Sequence, residues 1–359
     1  MTRKMTSFDT EASWVSFEGT NYDVGHDLGR WWARRLTALE ESDAGAKYLR
    51  SKDGFMPEWL TSASWSKWCE EKEFFWPLLE TTAHAFPEII EEIEGMTAGA
   101  RAGGLEASFL GVFWTALGET ATERPHCSSL ILPGPDRMFL AHNEEWTEKS
   151  PLCFADVKMP SGRFRSISYP FQLLGSVAGA TESFAFQGNS IGSGDHLTRI
   201  RKDWAGRVPK TFLTRKMLDA GSTEDVRKLY QKHRSILPSH HFVCASDEAI
   251  SIEVRPTAPM KLTDITAPAC HANHFVRADQ SVDEDWLFDK KTWNNDSAKR
   301  LRKLSGLKSR EVASAGDARK LMLEMRKGNE SSTSATIVFD LAPGRPPKIL
   351  ADEFFGVDD

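Results

Sequence analysis

A single cysteine stands at the front of a β-type run in "RPHCSSLIL", Arg124 to Leu132. It follows His126 and is itself followed by two serines. A tight "PGPD" turn and a second run, "RMFLAHNEEW", come next. The pattern of run, Pro-Gly turn and run predicts an antiparallel hairpin. Such pairing returns the polar cluster His142 to Trp146 to the side of Cys127. A thiol, carboxylates and an amide then converge at one strand end, a set suited to acyl transfer through a cysteine nucleophile. A cysteine so placed can also attack the carbonyl of its own preceding residue. The His126–Cys127 peptide would become a thioester, water would cleave it, and Cys127 would become a new N-terminus. Its α-amine, with an ordinary pKa of about 7.7–8.0, is then a general base beside its own thiol. A buried cysteine that merely packs is the competing reading of Cys127.

Two other arrangements have chemical potential. "GNSIG", Gly188 to Gly192, fits the G-x-S-x-G nucleophile elbow, with Ser190 as nucleophile. The elbow needs a strand before it and a helix after it. "SFAFQ" supplies the strand, but "GSGDHLTRI" starts poorly as a helix. No H-G-G-G-like oxyanion loop precedes the motif and the parallel βαβ context is missing, so the glycines read rather as a turn between antiparallel strands. Histidines occur as the pairs His240/His241 and His271/His274. Adjacent residues on a strand point to opposite sides, and His271 and His274 share a face only on a helix, which their surroundings do not favour. No metal site is expected from either pair, and the five cysteines contain no C-x-x-C.

The elements that must position Cys127 change character at that residue. Apolar residues recur at helical spacing from Tyr22 to Leu39. Further helices are expected over Trp68 to Phe86, Glu88 to Met96 (ended by "TAGARAGG") and Leu110 to Glu119. Seven of the twelve tryptophans lie between Trp14 and Trp76, as helix packing would require. From Cys127 on, strand signals dominate: "SFAFQGNSIGSG", a hairpin around Asp247-Glu248, and "SATIVFDLAPGRPPKIL". Between them lie helical stretches at Lys210 to Ala220, Thr223 to His233, Ser297 to Leu304 and Asp317 to Arg326. That order reads as α+β with antiparallel sheets, without an internal repeat. Two parts are expected: residues 1–126, a helical pro-segment or retained subunit, and residues 127–359, the catalytic domain.

Bulk properties narrow the function. The chain has 359 residues, an apolar fraction of 40% and a net charge of −6, with no block of five like charges. Neither nucleic acid nor an anionic membrane is an expected partner. The start, "MTRKMTSFDTEASWV", has no apolar core of the secretory type, and no stretch approaches the ~18 apolar residues of a span. An odd number of cysteines fits a reducing cytoplasm.

Several segments, in order, resemble one family. "FEGTNYDVGHDLGRW" (Phe17 to Trp31), "EIEGMTAGA" (Glu92 to Ala100), "HCSSL", "AHNEEW", "NSIG" (Asn189 to Gly192) and "HANHF" (His271 to Phe275) are similar to the acyl-coenzyme A:6-aminopenicillanic acid acyltransferase family of N-terminal nucleophile (Ntn) cysteine hydrolases. The resemblance implies the Ntn four-layer αββα sandwich and a zymogen that cleaves itself at His126–Cys127. It implies an amidase, hydrolase or acyltransferase working through acyl-Cys127 on a small-molecule amide or acyl thioester. No cofactor is implied. The cleaved fragment would stay as partner of a heterodimer, with further self-association open. By position, Cys127 would be the nucleophile, Asn273 an oxyanion donor and Glu145 the residue that holds the α-amine, with Asn143 opening the same polar cluster. Two residues depart from the family: Glu145 stands where Asp is usual, and His126 where Gly is most common. A serine hydrolase using Ser190 and an unprocessed, inactive homologue acting as a binding protein are the alternatives.

Overall fold

The computed structural model describes residues 12–41, 75–117, 126–134, 136–146, 149–191, 206–255, 259–265, 268–276, 293–326 and 332–355. Trp68 to Phe74 of one expected helix, Gly118 and Glu119 of another, and the turn Gly192 to Gly194 lie outside them.

Strand β1 (Trp14–Glu18) leads into α1 (Asn21–Glu40), followed by α2 (Phe75–Ala85), α3 (Pro87–Ala102) and α4 (Phe109–Ala116). Thr20 starts α1 with a reciprocal cap: it accepts from the Asp23 N–H, and the Asp23 carboxylate accepts from the Thr20 N–H at 2.9 Å. The "TAGARAGG" break is not where the sequence suggested, because α3 runs on to Ala102. Its glycines are contact points rather than stops. A Cβ at Gly95 would sit 2.1 Å from the Tyr22 carbonyl oxygen, and one at Gly99 would sit 1.8 Å from that of His26. Gly25 and Gly29 of α1 meet Glu92 and Met96 backbone just as closely. Both helices therefore cross backbone to backbone, which only glycine permits, and this outweighs its poor helix propensity.

The chain then forms the hairpin β2 (His126–Pro133) and β3 (Met138–Trp146), followed by β4 (Cys153–Met159), β5 (Gly162–Ser168), β6 (Ala178–Ala180) and β7 (Ala185–Ser190). Next come β8 (Arg207–Val208), α5 (Lys210–Met217), α6 (Thr223–Lys232), β9 (Arg234–Ser235), β10 (Ser239–Cys244), β11 (Ala249–Val254), β12 (Lys261–Asp264) and β13 (Ala269–His271). Helices α7 (Trp293–Leu307) and α8 (Ala315–Arg326) precede the final hairpin, β14 (Ser332–Leu341) and β15 (Lys348–Glu353). The fold is mixed α+β. One sheet has eight strands in the order β1-β4-β5-β6-β7-β10-β11-β12, and another has five in the order β13-β2-β3-β14-β15. Every pairing in both is antiparallel except β1 with β4.

Period-two alternation sends β2 and β3 side chains to two different cores. Leu130, Leu132, Phe139 and Ala141 join Leu304 of α7 and Met322 of α8. Ile131 and Leu140 join Phe154, Ile167 and Phe242 of the eight-stranded sheet. The opposite face of that sheet, with Val157, Phe186 and Ile252, packs on Leu28 and Trp32 of α1 and Ile93 of α3. Arg215 of α5 donates to Glu92 of α3 at 2.7 Å, both fully buried, and so ties the first third of the chain to α5.

Candidate active site

At its open end the β2–β3 hairpin carries polar residues on both faces. The register sets Cys127 opposite Glu144, His126 opposite Glu145 and Ser129 opposite His142. Cys127, Ser129, His142 and Glu144 therefore share the face of Ile131 and Leu140, toward the other sheet. Ser128, Asn143 and Glu145 share the face toward α7 and α8. All seven side chains are buried.

On the inner face the Cys127 thiol donates to Glu144 Oε2 across 3.7 Å. The same oxygen meets His142 Nε2 at 2.9 Å, and Tyr169 donates its hydroxyl hydrogen to Glu144 Oε1. His142 Nδ1 meets Ser129 Oγ at 3.0 Å, and that hydroxyl donates to Asn189 Oδ1 of β7 at 2.7 Å. A chain of hydrogen bonds thus runs from the thiol across the gap between the sheets.

On the helix face Glu145 accepts from Ser128 Oγ at 3.2 Å and from Asn143 Nδ2 at 3.3 Å, and lies 3.5 Å from Arg300 Nη1. Asn143 also donates to the Met322 carbonyl and accepts from Thr336 Oγ1. Arg300 of α7, itself buried, donates to the Cys127 carbonyl oxygen at 2.5 Å and to Asn273 Oδ1 at 2.8 Å, and pairs with Asp296.

Asn273 joins the two faces. Its Oδ1 accepts from the Cys127 backbone N–H at 2.7 Å, and its Nδ2 donates to the Ser190 carbonyl at 2.8 Å. Its own N–H donates to Ser297 Oγ, which also contacts His274 Nδ1. His271 and His274 do come together, with ring centroids 6.4 Å apart, without any helix, because the bend after β13 folds them onto one side. His240 stacks on His271 at 3.5 Å, while His241, on the other side of β10, sits against Tyr230.

The thiol is held in its neutral form. Burial pushes the Cys127 pKa well up, the carboxylates of Glu144 and Glu145 push it further, and Lys210 and Arg300 oppose them in part. A proton acceptor is therefore required before the sulfur can attack.

The four residues expected at the site are all buried near one strand end, but with unequal access to sulfur. Cys127 and Asn273 touch each other directly. Glu145 and Asn143 lie on the opposite face from Sγ, bonded to one another. The carboxylate that faces the sulfur is Glu144, supported by His142 and Tyr169. Counting outward from the "PGPD" turn would have found Glu144, since Pro133 pairs with Met138 and the register then runs unbroken to Cys127. Arg300 and Tyr169 had no local signal, because they come from a helix and a connection far along the chain.

Cys127, His142 and Glu144 offer ligand atoms within 4.8 Å of one another, a spacing that fits a divalent ion among the described residues. A sulfur committed to a metal is not free to attack, so ligand and nucleophile are mutually exclusive roles for Cys127. Ser190 ends β7, whose neighbours β6 and β10 are both antiparallel to it. A nucleophile elbow belongs to a parallel sheet. Ser190 Oγ accepts from the buried Lys210 Nζ at 2.8 Å.

A search of curated proteins finds no match. The model of the acyl-coenzyme A:6-aminopenicillanic acid acyl-transferase family matches residues 132–345, a span that includes Glu144, Glu145, Asn273 and Arg300 and begins just after Cys127. With more than half of its length matched, the chain belongs to the acyl-coenzyme A:6-aminopenicillanic acid acyltransferase family.

Proposed function

We propose that this protein is an Ntn-type cysteine amidohydrolase or acyltransferase, activated by self-cleavage between His126 and Cys127. The observation that carries the reading is Cys127 itself. It is the second residue of β2 in the five-stranded sheet, its thiol faces a carboxylate on the side toward the other sheet, and its backbone nitrogen is already held by Asn273 Oδ1 at 2.7 Å. Once cut, that nitrogen is a free α-amine in the same place, oriented by the same acceptor.

The amine answers the problem set by the buried thiol. It takes the proton from Sγ as sulfur attacks an amide or thioester carbonyl, then gives it to the departing amine or thiol. Water or an acceptor amine next attacks acyl-Cys127 with the α-amine again as base. Asn273 Nδ2 has a second hydrogen beyond the one given to Ser190 O, and this is the donor we assign to the oxyanion. Arg300 fixes both Asn273 Oδ1 and the Cys127 carbonyl, and so positions nucleophile and donor together. This chemistry calls for no organic cofactor or metal.

The three cores support the Ntn four-layer αββα reading: helices α1 and α3, the eight-stranded sheet, the five-stranded sheet, then α7 and α8. Residues 1–126 would remain bound after cleavage through β1, paired with β4, and through the Glu92–Arg215 contact. A cytoplasmic setting goes with this reading, in which the described cysteines stay as free thiols. No described helix is long and apolar enough to cross a membrane. Denaturing gels of the purified protein test the proposal: wild type should run as two bands that co-elute on sizing, and Cys127→Ala as one.

A further inference from the structure

The α-amine that serves as base in turnover does not exist in the uncut chain, where the same nitrogen is an amide. Some other group must take the thiol proton for the first cut. Resting on the proposal above, the geometry points to Glu144 as that base, a catalytic residue of self-cleavage, which we infer from the hydrogen-bond chain behind it.

Ser129 has one hydroxyl hydrogen. Asn189 Nδ2 donates to the Ala272 carbonyl at 3.1 Å, so its Oδ1 is the end that faces Ser129 and takes that hydrogen. Ser129 Oγ must then accept from His142 Nδ1–H. This leaves one proton for the 2.9 Å contact between His142 Nε2 and Glu144 Oε2. Tyr169 supplies a further hydrogen to Oε1. Held on both sides by His142 and Tyr169, the Glu144 carboxylate is fixed with Oε2 toward the sulfur, and Sγ–H is aimed at that oxygen from 3.7 Å. The other charged groups around the thiol are unsuited. Lys210 and Arg300 are donors, and Glu145 faces the helices, bonded to Ser128 and beside Arg300.

The steps balance. Glu144 takes the proton from Sγ as the S–C bond to the His126 carbonyl carbon forms. The tetrahedral oxyanion collapses, the C–N bond breaks, and the proton passes from Glu144 to the departing nitrogen of Cys127. Water then cleaves the thioester, restoring Sγ–H and leaving His126 with a carboxyl group. His142 and Tyr169 are positioning residues for the carboxylate.

The test uses the full chain, made by cell-free translation so that uncut protein is present at time zero. Cleavage is followed by gel, processed molecules are counted with a cyanobenzothiazole that condenses with N-terminal cysteine, and turnover per processed molecule is read with p-nitrophenyl acetate. Removing a general base typically costs about 100-fold or more. Glu144→Gln should slow cleavage by at least ~100-fold and turnover per processed molecule by only about tenfold, because the amine has taken over as base. A purely structural role would depress both alike. Tyr169→Phe, which keeps the carboxylate, should slow cleavage about tenfold with a smaller effect on turnover, and decides the matter if Glu144→Gln fails to fold. If wild type cleaves and neither variant slows that cleavage selectively, Glu144 is not the base. If wild type itself never cleaves, the proposed activation is wrong and this inference falls with it.

Discussion

The open end of the β2–β3 hairpin has two faces with similar residues and different partners. Inward, Cys127, Ser129, His142 and Glu144 connect through hydroxyl, imidazole and carboxylate groups to Asn189 and Tyr169. Toward the helices, Ser128, Asn143 and Glu145 are fastened by Arg300, Thr336 and the Met322 carbonyl. Both networks are buried, so both must satisfy their own polar groups or lose stability. The inner face holds its carboxylate between groups that can pass protons. The helix face holds its carboxylate beside a guanidinium, which does not give up its proton. We read the first as chemistry and the second as the scaffold that fixes it, with Asn273 touching both.

The sharpest way to break that contrast is Cys127→Ala. It should leave one uncut chain with hydrolysis of acyl p-nitroanilides at background. Residual turnover comparable to wild type would move the nucleophile elsewhere.

Asn273→Ala comes next. Loss of one oxyanion donor typically costs on the order of 3 kcal/mol, or ~100-fold in kcat, with KM little changed. The Cys127 nitrogen would also lose its acceptor, so self-cleavage should slow as well. Wild-type rates in both assays would place the donor at another residue.

How much of this is legible in the sequence shows in the same residues. The strand-initiating Cys127 and its Asn273 contact are readable, the first from the β-type run and its turn, the second from a family-like segment. Helices α1, α5, α6 and α8 follow apolar spacing closely. The end of α3 is not readable, because glycine spacing signals a stop locally and a close crossing only when α1 is in place. The preference for Glu145 over Glu144 also follows from sequence position alone. Which of two adjacent carboxylates faces sulfur is a matter of strand register, and one residue of shift exchanges the faces.

The histidine layer behind Asn273 gives a pH test of similar size. Burial holds His241 and His274 at about 3, against 6.5 when free, and pushes His240 well down too. Unfolding lets them bind protons below pH 6.5. The stability they carry is complete above 6.5 and is lost as pH falls toward 3. At pH 5 the loss is about 2 kcal/mol for each of His241 and His274. Urea midpoints should therefore drop between pH 7.5 and 5, and less so in His274→Gln. Equal midpoints at the two pH values would refute neutral burial.

Glu145→Gln probes the scaffold face directly. It removes the charge beside Arg300 while keeping the shape, so kcat should fall about tenfold, near 1.4 kcal/mol, through displaced backbone at Cys127. A loss as large as that of Cys127→Ala would make Glu145 part of the chemistry and erase the distinction between the faces. Ser190→Ala should have the smallest effect, within about twofold, since its backbone carbonyl, not its hydroxyl, meets Asn273. A variant that cleaves itself yet shows no turnover would revive a serine nucleophile paired with Lys210.

The central claim, that Cys127 works as an N-terminal residue, is tested most directly by intact mass and N-terminal sequencing of the purified wild-type protein. Two fragments are expected, residues 1–126 and 127–359, the second starting with Cys127. A single full-length chain with robust, Cys127-dependent turnover would contradict it.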